Sequence, residues 1–252
     1  YFANDMAYHF DKYQRGSKHL IDIWGADHGG YIKRMNAAIE ALTQKNAKFS
    51  VKLCQMVKLI SDGKPLKMSK RSGDFVTLSE MVEKVGSDSI RFMMLYRKNE
   101  APLEFDFQKV SEQSKDNPVF YVQYAHARIS SVLRKIDEHK LKFNLSDFSQ
   151  CKLNLLNSDH ELNLIKKILD WSSVIISSVN LYEPHRIAYY LYELASSFHS
   201  LWNQGKIDSN LKFINEEDLD ATYARLSLII ATQKTIKSGL DLLGVSAPDE
   251  MQ

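Results

Sequence analysis

His19-Leu20-Ile21-Asp22-Ile23-Trp24-Gly25-Ala26-Asp27-His28-Gly29-Gly30-Tyr31 decides the fold class of the first half of this 252-residue chain. His19 to Trp24 is a short apolar run rich in isoleucine, which predicts a buried strand. Gly25 to Gly30 is a glycine-rich turn, and beyond it Tyr31, Met35, Ala38, Ile39 and Leu42 recur at helical spacing. Strand, turn and helix in this order make an α/β unit. Open α/β sheets bind ligands outside the carboxyl ends of their strands, which is where Asp27 and His28 fall.

Upstream, residues 3–15 read as a helix stopped by Gly16. Downstream, Val51, Leu53, Gln55, Val57 and Leu59 alternate on one face, predicting a second strand or hairpin arm over 49–60. It leads into Gly63-Lys64-Pro65-Leu66-Lys67-Met68-Ser69-Lys70-Arg71-Ser72-Gly73, read as a mobile basic loop because glycines and Pro65 oppose regular structure. Its cations suit a polyphosphate whose charge shifts during reaction; the plainer reading is a solvated basic loop. Thr77 or Ser79 is expected to cap a helix through Val85, and Ser87 or Asp88 another to about Lys98, after the break at Gly86. An irregular stretch is expected from Pro102 to Asn117-Pro118.

From there the pattern is helical throughout. Apolar faces run through Val122–Ile136, Leu162–Leu169, Ile187–Trp202 and Leu226–Leu243, the last stopped by Gly244 with Pro248 beyond. Four amphipathic helices in sequence predict a bundle. The expected organisation is an α/β domain over 1–115 and an all-α domain over 116–252.

Composition narrows the function classes. No stretch approaches the ~20 apolar residues of a membrane span. Cys54 and Cys151 are the only cysteines, with no zinc spacing, which fits a reducing cytoplasm and no structural metal. Net charge is +2, too small for nucleic-acid binding by bulk attraction. Residues 1–116 carry 19 Lys/Arg against 15 Asp/Glu and residues 117–252 carry 14 against 16. If the second half touches RNA, local contacts must do it rather than a basic surface.

Trp24 to Tyr31, followed by Lys-Met-Ser-Lys at 67–70, resembles the arginyl-tRNA synthetases, a family of class I aminoacyl-tRNA synthetases. Tyr1 and Asp5 match the family's Tyr-x-x-x-Asp pair. Residues 117–128 resemble the opening helix of its all-α anticodon-binding domain, and Leu243 to Met251 resembles its C-terminus. The resemblance implies the second half of a Rossmann-type catalytic domain followed by an anticodon-binding bundle. It implies an arginine–tRNA ligase that forms arginyl-adenylate from arginine and ATP, with Mg²⁺ as companion of the nucleotide, and then charges tRNA(Arg).

By the same resemblance Lys67 and Lys70 would be catalytic, stabilising charge on the leaving pyrophosphate. Tyr1, Asp5 and Asp27 would bind arginine. His28, Met68, Ser69 and Lys70 would bind ATP, and no residue would ligate a metal. Asn117, Tyr124, Arg128 and Met251 would hold the anticodon loop. Many members of the family have a second histidine where Gly29 stands, and the family's His-x-Gly-His motif occurs nowhere in the sequence. A C-terminal fragment with little activity alone is the expectation, monomeric and cytoplasmic, the alternative being a tRNA-binding module without catalysis.

Elementary chemistry is compatible with these roles. Positions i and i+4 share a helix face, so Tyr1 with Asp5, and Tyr124 with Arg128, can each address one ligand. A carboxylate is the natural partner of a guanidinium fork. Asp5 could equally be a surface acid near a helix start, His28 a loop histidine capping the next helix, and Tyr124 a core residue. Phe198, His199 and Trp202 continue an apolar stripe and are expected to pack.

Overall fold

The computed structural model describes residues 1–66, 76–138, 148 and 151–251. Two compact units divide the chain: residues 1–59 with 97–105, and residues 60–96 with 106–252.

In the first unit, α1 (Phe2–Gln14) ends at Gly16, whose φ of 102° suits glycine best. Next come β1 (His19–Gly25), a 3-10 turn (Ala26–Tyr31), α2 (Ile32–Leu42) and β2 (Lys48–Cys54). β1 and β2 pair in parallel, in register from His19 opposite Lys48 to Gly25 opposite Cys54. This is the α/β unit that the opening stretch predicts. Its core is Leu20, Met35 and Ile39, joined by Phe2, Trp24, Tyr31 and Phe49.

β1 is buried on one face only. Ile21 is 45% and Ile23 73% exposed, because side chains alternate across a strand and both project away from Leu20. The expected buried strand is thus buried on its Leu20 face and open on the other. The apolar run over 49–60 also divides. β2 ends at Cys54 and β3 (Val57–Ser61) begins after Met56. At the break the Gln55 amide donates to the Asn99 carbonyl, and Asn99 Nδ2 donates to the Leu53 carbonyl. β4 (Lys64–Pro65) pairs antiparallel with β3. The turn between them is Asp62-Gly63 with φ of 53° and 71°, the dipeptide that two-residue hairpins favour. β5 (Leu103–Asp106) pairs on the other side of β3. Local pattern predicts no strand there; Leu103 and Phe105 form one by burial.

In the second unit, α3 (Leu78–Val85) starts at Thr77. The Thr77 hydroxyl accepts from the Glu80 amide while the Glu80 carboxylate accepts from the Thr77 amide, a complete capping box. α4 (Ser87–Tyr96) already includes Ser87 and Asp88, so neither caps it from outside. Asp88 instead accepts from Gln123 Nε2 and from the Ser246 amide and hydroxyl.

The bundle consists of α5 (Pro118–Glu138), α6 (Asp159–Leu169), α7 (Trp171–Leu181), α8 (His185–Ile207) and α9 (Leu219–Leu243). α7 is additional to the helices expected. Its serines blur the apolar period, and Ile176 and Val179 stay exposed. α8 packs against all the other bundle helices and against α4. The centre holds Phe92, Ile129, Leu191, Leu194, Phe198, Leu226, Ile229 and Ile236. Gly239 permits the α8–α9 approach, since a Cβ there would sit 2.5 Å from Leu191 Cδ2. α9 stops at Gly244, left-handed at φ 66°. Among the described residues no helix is long and apolar enough to cross a membrane.

Candidate functional site

Each unit carries a concave site. In the first unit a cavity of about 540 Å³ lies between α1, β1 and the turn after β1, lined by Asp5, Tyr8, His9, Asp22, Trp24 and Tyr31 among others. The Tyr31 hydroxyl donates to Asp5 Oδ2 at 3.3 Å. Partial burial, and then the Asp5 carboxylate beside it, push the Tyr31 hydroxyl above its ordinary pKa, so it remains a neutral donor. His9 joins helix to strand: one ring nitrogen lies 2.7 Å from the Asp5 carbonyl, the other 2.8 Å from Asp22 Oδ2. Carboxylates beside aromatic faces suit a planar cation.

Of the residues expected there, Asp5 and His28 line the cavity, while Tyr1 and Asp27 do not. Tyr1 is fully exposed at the cap of α1, its carbonyl accepting from the Asp5 amide. Asp27 is exposed beside His28, with 3.6 Å from Asp27 Oδ2 to His28 Nε2. A Cβ at Gly25 would lie 2.6 Å from Asp27 Oδ1, so the exposed Asp27 carboxylate would have to swing aside for a larger residue there. Sequence reasoning missed His9, Asp22 and Tyr31. His9 follows Asp5 by one helical turn, the spacing that could have revealed it. Lys67, Met68, Ser69 and Lys70 lie outside the described residues.

The second site is a cavity of about 470 Å³ between α5, α8 and the segment after α9. Tyr124 and Arg128, one turn apart on α5, meet as the spacing predicts. The guanidinium carbon lies 4.2 Å from the Tyr124 ring centroid and 5.0 Å from that of Trp202 on α8. Arg128 Nη2 donates to the Tyr124 hydroxyl at 3.1 Å, and Nη1 reaches His199 Nδ1 at 3.2 Å. His199 Nε2 faces the Tyr121 carbonyl at 3.2 Å, which can only accept. The ring therefore carries its proton on Nε2 and accepts from Arg128 through Nδ1. Burial, and to a lesser degree the Arg128 charge, hold the imidazole down to about 4, so it is neutral near pH 7.

The far wall is Asp249, Glu250 and Met251. This segment is fixed by its own contacts: His126 Nδ1 donates to the Pro248 carbonyl, Ser130 Oγ to Asp249 Oδ1, and Arg134 Nη1 to the Asp249 carbonyl. Gln123 Nε2 holds the Ser246 carbonyl further upstream. Tyr124, Arg128 and Met251 are thus brought together, but Asn117 is not. Asn117 is buried, and its Nδ2 donates to the carbonyls of Val110 and Glu112, securing the entry to α5. Phe198 packs in the core as expected. His199 and Trp202 depart from a pure packing role by holding the Arg128 guanidinium. Arg134 and Lys206 also line the cavity and gave no sequence signal.

The chain thus combines an α/β unit with an all-α bundle that carries a basic–aromatic cavity. The DALR anticodon binding domain model matches residues 122–251, and the chain belongs to that family. Along its whole length the chain is 54% identical to the arginine–tRNA ligase of Parvibaculum lavamentivorans, of which it covers 43%. A crystal structure of an arginyl-tRNA synthetase from Campylobacter jejuni superimposes on all of the chain with a TM-score of 0.83 and 34% identity, 52% of that chain being covered. The Plasmodium falciparum enzyme shares the fold at a TM-score of 0.75 and 19% identity, over all of this chain and 44% of that one. The chain thus spans less than half the length of the curated relatives it matches.

Proposed function

We propose that the chain is the tRNA-reading and part of the arginine-activating portion of an arginine–tRNA ligase. The observation that carries this reading is the Arg128 guanidinium held against Tyr124 and Trp202 in a cavity walled by Met251, within the segment matched by the anticodon-binding family. An aromatic face, a fixed guanidinium and a nearby thioether can stack on and edge-bond one splayed base of tRNA(Arg). Asn117 would serve by fixing the start of α5. In this reading 1–115 is the catalytic half and 116–252 the reader.

In the first unit, Asp5 would take the guanidinium of arginine, with Tyr31 and Trp24 as walls. Tyr1 and Asp27 would approach from outside the cavity, and His28 from its rim. Lys67 and Lys70, with Met68 and Ser69 between them, would steady the polyphosphate of ATP. Mg²⁺ would travel with ATP, ligated by phosphates and water. A monomeric, cytoplasmic enzyme completes the proposal.

The test is filter binding of the chain to a tRNA(Arg) transcript and to one changed at the central anticodon base. Preference for the cognate transcript, abolished in Tyr124→Ala, is the expected result. Equal binding of both transcripts by the unaltered chain refutes the reading.

A further inference from the structure

We propose that a second cavity beside the Tyr124–Arg128 site is a subsite for the next nucleotide of the same strand, gripping its phosphodiester and stacking its base. This rests on the reading above and extends it. The cavity measures about 400 Å³ and is lined by Val132 and Lys135 of α5, Trp202 and Lys206 of α8, and Lys212 and Phe213 beyond them. Trp202 and Lys206 wall both cavities, so a strand leaving the first enters the second directly.

Their charges differ. In the first, Arg128, Arg134 and Lys206 are offset by Asp249 and Glu250. In the second, lysines gather and no carboxylate lines the cavity among the described residues. Cations without counter-carboxylates around an indole are what single-stranded nucleic acid requires: charge for the backbone and a ring for the base.

The floor is built for this placement. A Cβ on Gly205 would lie 2.9 Å from the Leu211 carbonyl oxygen, so glycine lets the 3-10 turn Ser209–Leu211 close on α8. The Lys212 carbonyl accepts from Arg225 Nη1 at 3.4 Å, and Arg225 is itself anchored to buried Glu161. Phe213 stacks on Phe198 with centroids 5.9 Å apart and lies 5.8 Å from Trp202. The backbone beneath Lys212 is thereby fixed while the lysine head groups stay in solvent.

The experiment measures binding of the whole chain to both transcripts over a range of salt, for the wild type and for Lys135→Gln/Lys212→Gln. These lysines are exposed, and an unchanged melting temperature verifies folding. The slope of log affinity against log salt is expected to become shallower by about 1.4, or about 0.7 for each single-strand phosphate that is no longer neutralised. Affinity falls equally for both transcripts and anticodon preference is retained. An unchanged slope, with wild-type binding and preference intact, overturns the second subsite alone. Disappearance of the preference in the variant overturns it too, by making these lysines part of the first site. A wild-type chain that binds neither transcript sinks the anticodon reading and this one with it.

Discussion

His199 illustrates how a single residue couples stability to the proposed reading site. Its imidazole is held down to about 4 by burial and by Arg128, against about 6.5 in an unfolded chain. A depressed histidine favours the folded state fully above the unfolded value, and that contribution is lost as pH falls toward 4. The loss amounts to about 3 kcal/mol if the whole interval is crossed. Urea unfolding of wild type and His199→Gln from pH 7.5 to 4.5 should therefore give curves that converge as acid is added. Glutamine can still donate to the Tyr121 carbonyl and accept from Arg128, but it does not titrate. Parallel curves would contradict a neutral buried ring.

At this scale the sequence was half legible. Tyr124 and Arg128 follow from i,i+4 spacing. Their partner Trp202 comes from another helix, and nothing local distinguishes it from the core stripe of Phe198. Asn117 shows the converse: a polar residue at a helix start, whose amide is consumed by the carbonyls of Val110 and Glu112.

Between elements, Glu161 links α6 to α9. It closes the capping box with Ser158 and accepts from Arg225 Nε at 2.7 Å. Burial works to raise its pKa, but hydrogen bonds from Ser158 and Arg225 outweigh that and keep the carboxyl below its ordinary value. Glu161→Ala should destabilise the chain by about 3–5 kcal/mol, because it strands a buried guanidinium. Replacing both partners, Glu161→Met with Arg225→Met, should recover most of that stability in chemical denaturation, since the buried charge is then gone. Equal destabilisation by the single and double variants would show that the pair is not what holds the two helices.

Elements set by local chemistry were readable: the Thr77 box, the Gly16 and Gly244 stops and the β1–α2 alternation all lie in contiguous residues. β5 and α7 were not. Their burial comes from distant partners, β3 for the one and α8 for the other.

Across the whole molecule, the segment after α9 binds the bundle at both ends of its sequence. A stop codon after Ala247 removes the acceptors of His126, Ser130 and Arg134. At about 1 kcal/mol for each hydrogen bond, unfolding should be easier by about 2–3 kcal/mol, with helical content by circular dichroism nearly unchanged. Transcript binding should persist through the lysines while anticodon preference disappears. Retained preference would exclude Asp249 to Met251 from the reading site.

That wall also sets an order of events during synthesis. Tyr124 and Arg128 emerge from the ribosome early in the helical half, and Met251 emerges after every bundle helix. Until then the aromatic–guanidinium stack stands with one side open. Chains abandoned partway through translation would carry a lysine-rich surface able to touch RNA without discriminating. Selectivity would arise only once Met251 has emerged, so the cavity would depend on the arrival of its last wall as well as on the identity of a base.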